Sequence, residues 1–219
     1  MTKSGASPRS TVRRLPARAA YDRATIDAIL DEGLVCHAGF SIDGQPYVIP
    51  TIYARDGDRL LLHGSAASRM LRYLREGVEA SIAVTLLDGL VLARSAFHHS
   101  MNYRSVVLFG RARAIEEGPE KLEALRSIVE HAFPGRYDQV RAPNRSELRQ
   151  TAVLALPIEE ASAKVRTGPP VDDEEDYALD VWAGVLPLAL TPLAAVPDPR
   201  LSPNAPLPGL VTRYRRSRR

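Results

Sequence analysis

Asn102-Tyr-Arg-Ser-Val-Val-Leu-Phe-Gly-Arg-Ala-Arg-Ala-Ile115 reads as one long β-strand, because Val106, Leu108, Tyr103 and Phe109 give it β-branched and aromatic density. Gly110 marks a position where a second backbone or a flat ligand can approach. Upstream, Leu60-Leu-Leu-His-Gly-Ser-Ala-Ala-Ser-Arg-Met70 reads as a strand that stops at a polar turn and starts a helix. Gly64, Ser65, Ser68 and Arg69 make that turn a candidate anion cradle, since helix-start amides and a guanidinium fork both suit phosphate. An ordinary turn with an N-cap serine is the competing reading.

Outward from these two stretches the turn signals continue. Leu34–Ile42 and Gln45–Ala54 are strand-like runs separated by Asp43-Gly44, a pair that favours a two-residue hairpin turn. Arg55-Asp-Gly-Asp-Arg59 is a second such signal, so three strands follow in a meander. Pro46 and Pro50 cannot donate to a ladder, which predicts an edge, a bulge or a ligand beside the middle strand. Before the meander, Tyr21–Gly33 reads as a helix with Asp22 as N-cap and Gly33 as its stop glycine. After it come a helix over 66–76, a strand over 78–87 closed by Asp88-Gly89, an ambiguous stretch over 90–101, and a helix over 118–133. A polar, basic connection over 136–149 leads to strand-like runs at 151–158 and 161–166. Five or six hairpin-linked strands with helices at intervals predict a closed or partly closed antiparallel barrel. The regular βα alternation of a Rossmann sheet is missing.

Composition sets the outer limits. The 219 residues, 45% hydrophobic and 25% charged, suit one domain with a real core plus an extended tail. No apolar run approaches the roughly 20 residues of a membrane span, and no apolar segment follows the basic N-terminus, so the expectation is a cytoplasmic protein. The lone Cys36 sits in an apolar run and reads as a buried structural thiol. Of 29 basic residues, five lie in 1–18 and five in 213–219; the remaining 19 face 26 acidic residues, so the body carries about −7. Solvated ends are favoured over nucleic-acid binding, because only Tyr214 interleaves with these charges. The domain reading is therefore a basic flexible lead over 1–18, a folded body over 19–168, and an arm and basic tail over 169–219. Asp172–Asp176 falls in a linker, and prolines at 187, 192, 197, 199, 203, 206 and 208 make regular structure improbable beyond it. Trp182, Val185, Leu186, Leu188, Leu190 and Leu193 are too apolar for a free tail, so the arm is expected to pack on the body or on a second subunit.

Most catalytic templates fail. There is no G-x-S-x-G, no Walker loop and no G-x-G-x-x-G, and the histidines (37, 63, 98, 99 and 131) include no H-E-x-x-H. His98 and His99 would face opposite sides of a strand, so no metal site is expected. His63 ends a strand just before the anion turn, where a ligand contact and a structural role are equally open. Ser65, Ser68, Arg69, Arg104, Ser105, Lys164 and Arg166 form a cationic and hydroxyl set that suits a phosphorylated cofactor.

Residues 44–51, 61–69 and 102–112 together resemble the pyridoxamine 5'-phosphate oxidase-related, FMN-binding split-barrel proteins, and within them the branch that includes the nitroimidazole-resistance (Nim) proteins. The resemblance covers about residues 14–186. It implies a mainly β, six-stranded antiparallel split barrel with peripheral helices, a homodimer, and one FMN in each of two interface clefts. Val48, Ile49, Pro50, Thr51 and Tyr53 would lie along the flavin ring; His63, Gly64, Ser65, Ser68 and Arg69 would stand at the phosphate turn, with Arg104, Ser105, Lys164 and Trp182 completing the site. In the Nim-like branch the histidine matching His63 is the one linked to activity. The oxidase pattern Ser-Arg-Lys is Ser68-Arg69-Met70 here, and its Arg-Gln is Arg104-Ser105, so a cation and a ring-facing glutamine are absent. The oxidase's substrate-binding arginine and histidine have no match in 184–219, which disfavours vitamin B6 oxidation. The implied activity is a flavin-dependent oxidoreductase acting on a small molecule, against the alternative of a non-catalytic flavin or haem binder.

Overall fold

Turn chemistry sets the register of the first hairpin. Asp43 (φ 50°) and Gly44 (φ 80°) both take the left-handed conformation, which matches the twist of the flanking strands. The computed structural model describes residues 7–215. Its elements are, in order, β1 (Ala19–Ala20), α1 (Arg23–Glu32), β2 (Val35–Ile42), β3 (Gln45–Asp56), β4 (Arg59–Ser65), α2 (Arg69–Arg75), β5 (Glu79–Leu92), β6 (Ser100–Arg111), β7 (Arg113–Ala114), α3 (Pro119–Ala132), α4 (Arg145–Gln150), β8 (Thr151–Pro157), β9 (Glu160–Arg166), β10 (Gly184–Pro187) and α5 (Gly209–Thr212).

The strands run in the order β1-β9-β6-β5-β2-β3-β4-β8-β7, with β10 added to β5. Every pairing is antiparallel. β7 continues β6 past Ala112 but leaves β5 and β9 to pair with β8. The ladder that starts at β6 thus returns to its own chain through β5, β2, β3, β4 and β8, which gives the mainly β, barrel-like architecture. Inside it, Ile26, Ile29 and Leu30 of α1 pack among Leu60, Leu62, Ile82, Val106 and Leu108. Each of these burials contributes about 2 kcal/mol. Outside it, Ala124 and Ile128 of α3 cover Ala54, Leu61 and Val153 in a second cluster.

Several local expectations change. Asp88-Gly89 makes no hairpin: β5 runs through it with a bulge between Leu87 and Gly89, because β6 supplies partners on both sides. Gly89 serves instead the approach of β10, since a Cβ there would stand 3.0 Å from the Leu186 carbonyl and from Val185. Gly33 ends α1 in extended geometry (φ −66°), and its missing side chain makes room for the Tyr53 hydroxyl and Val84, which a Cβ would meet at 2.5 and 2.6 Å. At Gly110 a Cβ would make an ordinary 3.5 Å contact with the buried Leu156. The connection over 136–149 contains α4, started by a capping box between Asn144 and Glu147. Over its described part the basic lead is held to the body, with Arg9 paired to Glu79 and Glu160 and the Val12 amide bonded to the Tyr21 hydroxyl (2.8 Å). Lys3 and the arginines at 216, 218 and 219 lie outside the described residues.

Candidate functional site

The opening in the fold lies where β3 parts from β4. The two strands pair only from Asp56↔Arg59 to Tyr53↔Leu62. One further step would set Ile52 against His63, but the β3 pairing stops there, while β4 keeps β8 on its other edge from Arg59↔Pro157 through to Ser65↔Thr151. Residues 45–52 of β3 therefore keep β2 on one edge and no strand among the described residues on the other. In a ladder started by the pair Ile42↔Gln45, alternate residues bond the partner strand, so Pro46, Val48, Pro50 and Ile52 turn their backbone groups to the open edge. The two prolines sit where the lost N–H breaks no ladder bond. The edge then offers the amides of Val48 and Ile52 and four carbonyls, with Val48 65%, Ile49 39% and Ile52 44% exposed.

Across the gap stand the end of β4 and the start of α2. Ser68 precedes α2 and makes no capping bond, while the Ser65 hydroxyl accepts from the Ala67 amide (3.2 Å). The Arg69 guanidinium reaches over the Tyr47 ring at 5.5 Å and so spans from α2 to β3; it has no carboxylate partner among the described residues. Gly64 has Leu71 within 3.1 Å of a would-be Cβ, which lets α2 pack closely on the strand end. His63 is half-buried, its Nδ1 is buried with no hydrogen-bond partner among the described residues, and burial holds its pKa below the ordinary imidazole value. The ring is therefore neutral at pH 7. It borders a cavity of about 400 Å³ walled by Leu125, Ile128, Val129, Tyr137 and Thr151.

The expected site residues divide. Val48, Ile49, Pro50, Thr51, His63, Gly64, Ser65, Ser68 and Arg69 surround this opening. Tyr53 does not: it is fully buried, with its hydroxyl donating to the Leu30 carbonyl (2.6 Å) and its ring 5.1 Å from that of His131. Its place on β3 is past the point of parting, so it packs inward. Arg104 is also withdrawn, clamped by Glu32 (2.6 and 2.9 Å) and Asp88 (2.8 and 2.9 Å), both of which raise its pKa. Ser105 and Lys164 face each other on β6 and β9. β5 and β2 separate β6 from β3, three strand spacings or about 14 Å. Trp182 is 69% exposed and its ring folds over Gly184 at the root of β10. Sequence reading missed Tyr47, which was inside the quoted strand, and the cavity wall from α3 and residues 137–151. The Asn144-x-x-Glu147 spacing was the available signal for part of that wall.

The fold is thus an antiparallel, barrel-like β protein opened at one strand pair, with the free edge of β3 across from the end of β4 and the start of α2. The chain belongs to the pyridoxamine 5'-phosphate oxidase family, whose model matches residues 22–165. The flavocytochrome Anf3 of Azotobacter vinelandii is 45% identical, with a TM-score of 0.90 over 95% of this chain and 97% of the relative. The FAD and heme binding protein of Mycobacterium smegmatis is 38% identical, with a TM-score of 0.86 over 89% and 96%. A candidate 5-nitroimidazole antibiotic resistance protein of Bacteroides thetaiotaomicron shares the fold at 24% identity, with a TM-score of 0.56 over 67% and 86%. No curated protein matches. Among the described residues no helix is long and apolar enough to cross a membrane.

Proposed function

We propose that the chain is a flavin-binding redox protein, with the flavin seated along the open edge of β3. The free edge carries this reading. A flavin's pyrimidine end carries both a donor and acceptors, and the open edge offers groups of both kinds, the Val48 and Ile52 amides and the carbonyls of Pro46, Val48, Pro50 and Ile52. Ser65, Ser68 and Arg69 stand where they would hold a phosphate. When bound, the flavin supplies hydride or electron transfer; the chain supplies position, polarity and access. The two relatives at 45% and 38% identity are named as a flavocytochrome and as an FAD and heme binding protein, which favours FAD over the FMN that the oxidase resemblance implies.

A second cofactor is supported by a separate observation. His63, neutral, half-buried and unbonded at Nδ1, would be the residue to hold a haem iron, and it borders a largely apolar cavity that also carries the paired side chains of Arg141 and Glu147. A haem held by His63 would lie on the α3 side of β4, and a protein carrying both groups would pass electrons between them. The strands β2 to β6 with β8 form the six-stranded split barrel of this reading. A homodimer completes it, because Ser105 and Lys164 lie too far along the sheet to reach the same chain's cleft but are open to a partner's.

The absorbance spectrum of the purified protein, with the mass of what acid releases, tests this. Flavin bands with a released mass of FAD are expected, and a Soret band that is lost in His63→Ala places haem on that residue. A colourless protein that takes up neither FAD nor FMN on reconstitution rejects the flavin reading. A Soret band that survives His63→Ala unchanged rejects His63 as the residue that holds haem.

A further inference from the structure

The acidic run Asp172–Asp176 folds back on the loop that joins β5 to β6. Asp172 accepts from the Arg94 amide (3.0 Å) and guanidinium (3.1 Å), and that guanidinium lies 4.8 Å over the Tyr177 ring. The run is thus fastened on both sides of Asp173 and Asp176. Fastening brings these carboxylates to His98: its Nε2 is 3.2 Å from Asp173 Oδ2, and one ligand atom from each of His98, Asp173 and Asp176 lies within 4.8 Å of the others.

Two further observations point into this cluster. The His98 Nε2 atom is buried and, apart from the 3.2 Å approach of Asp173 Oδ2, has no hydrogen-bond partner among the described residues. Asp173 occupies the N-cap of the 3-10 helix Glu174–Ala178 without capping it, so its carboxylate is turned away from the amides that would ordinarily engage it. The imidazole is steadied from behind by edge-on contact with Phe97 (5.2 Å) and by the bond from the His98 amide to the Ser95 carbonyl (3.3 Å).

We propose that His98, Asp173 and Asp176 bind a divalent transition cation of the zinc or manganese class. One imidazole nitrogen and two carboxylates suit these borderline cations, whereas calcium favours an all-oxygen set of six or more ligands. The Asp173 side chain is 74% exposed, so it is free to rotate inward and leaves open positions for water. A bound cation would fasten the root of the arm, since β10 begins eight residues past Asp176. The site shares no residue with the proposed flavin opening and does not depend on that reading.

The test uses the untagged full chain, stripped of metal, titrated with zinc by calorimetry and with cobalt by visible absorption. One equivalent is expected for the wild type, with affinity lowered more than about tenfold in His98→Ala and in Asp173→Asn. A Glu174→Gln/Glu175→Gln double variant keeps the site, because those carboxylates belong to the run but not to the cluster. Asp176→Asn, the mildest change, serves if His98→Ala fails to fold as judged by circular dichroism. No uptake by the wild type, uptake unaltered by the ligand substitutions, or equal loss in the Glu174/Glu175 variant overturns the proposal.

Discussion

His63 sits at a boundary between packing and chemistry. Leu62 before it is fully buried and Ser65 after it is exposed, so the histidine inherits a half-buried position at which its protonated form is poorly solvated. Burial lowers its pKa, whereas the unfolded chain binds a proton near the ordinary value of about 6.5. The neutral ring therefore contributes stability that is present above about pH 6.5 and is lost as pH falls toward the folded value. In cofactor-free protein, urea midpoints measured from about pH 7.5 to about pH 5 should fall more steeply for the wild type than for His63→Gln. Equal slopes would remove the burial argument for a neutral His63. Cys36 shows the same cause acting on a thiol. It is fully buried, and desolvation pushes its pKa up to about 12, so the thiolate is negligible at pH 7. Iodoacetamide should leave the folded protein unmodified and react once denaturant is added; rapid alkylation of the folded form would contradict this.

At the scale of elements, α1, β3 and α3 meet at one small residue. Gly33 lets the Tyr53 hydroxyl reach Leu30, and its carbonyl accepts from His131 Nε2 (2.7 Å). A Cβ at 2.5 Å from a buried hydroxyl cannot be absorbed by a flexible chain end, so Gly33→Ala should cost about 1–3 kcal/mol. Chemical denaturation measures this; a loss below about 0.5 kcal/mol would mean the junction relaxes freely. That junction also marks the limit of what was legible in the chain. The hairpin at Asp43-Gly44, the cap at Asp22 and the helix over α3 follow from local rules and stand where those rules put them. The stop at Gly33 was legible as a stop but not as a space, because Tyr53 and Val84 arrive from distant strands. Asp88-Gly89 has the chemistry of a turn and yet runs through a strand, since β6 pairing outweighs the local preference. The site divides likewise: Pro46 and Pro50 announced an open edge, while the inward turn of Tyr53 and the clamp of Glu32 and Asp88 on Arg104 are set by tertiary packing.

Across the whole molecule the arm presents a packing problem that one chain does not solve. It is anchored at its root, where β10 pairs with β5 and the Leu188 amide bonds the Asp88 carbonyl (3.0 Å). It is anchored again at its end, where Tyr214 stacks on Phe133 at 4.8 Å and donates to the Ala132 carbonyl. Between these anchors Leu190 is 78%, Leu193 90% and Val196 91% exposed, far more apolar display than a tethered monomer surface ordinarily carries. The exposed side chains of β3 pose the same demand, and the proposed homodimer answers both by laying the arm on a second copy. Replacing Leu190, Leu193 and Val196 together by Ser should then weaken dimerisation at least tenfold, about 1.4 kcal/mol, read from a dilution series by sedimentation. Flavin content should fall with it, because Ser105 and Lys164, which lie three and four strand spacings from β3 in one chain, about 14 and about 19 Å along the sheet, would no longer be supplied by the partner. A variant that stays as dimeric as the wild type shows that the arm covers something else, and one that becomes monomeric while keeping its flavin confines the cofactor site to β3, β4 and α2 of a single chain.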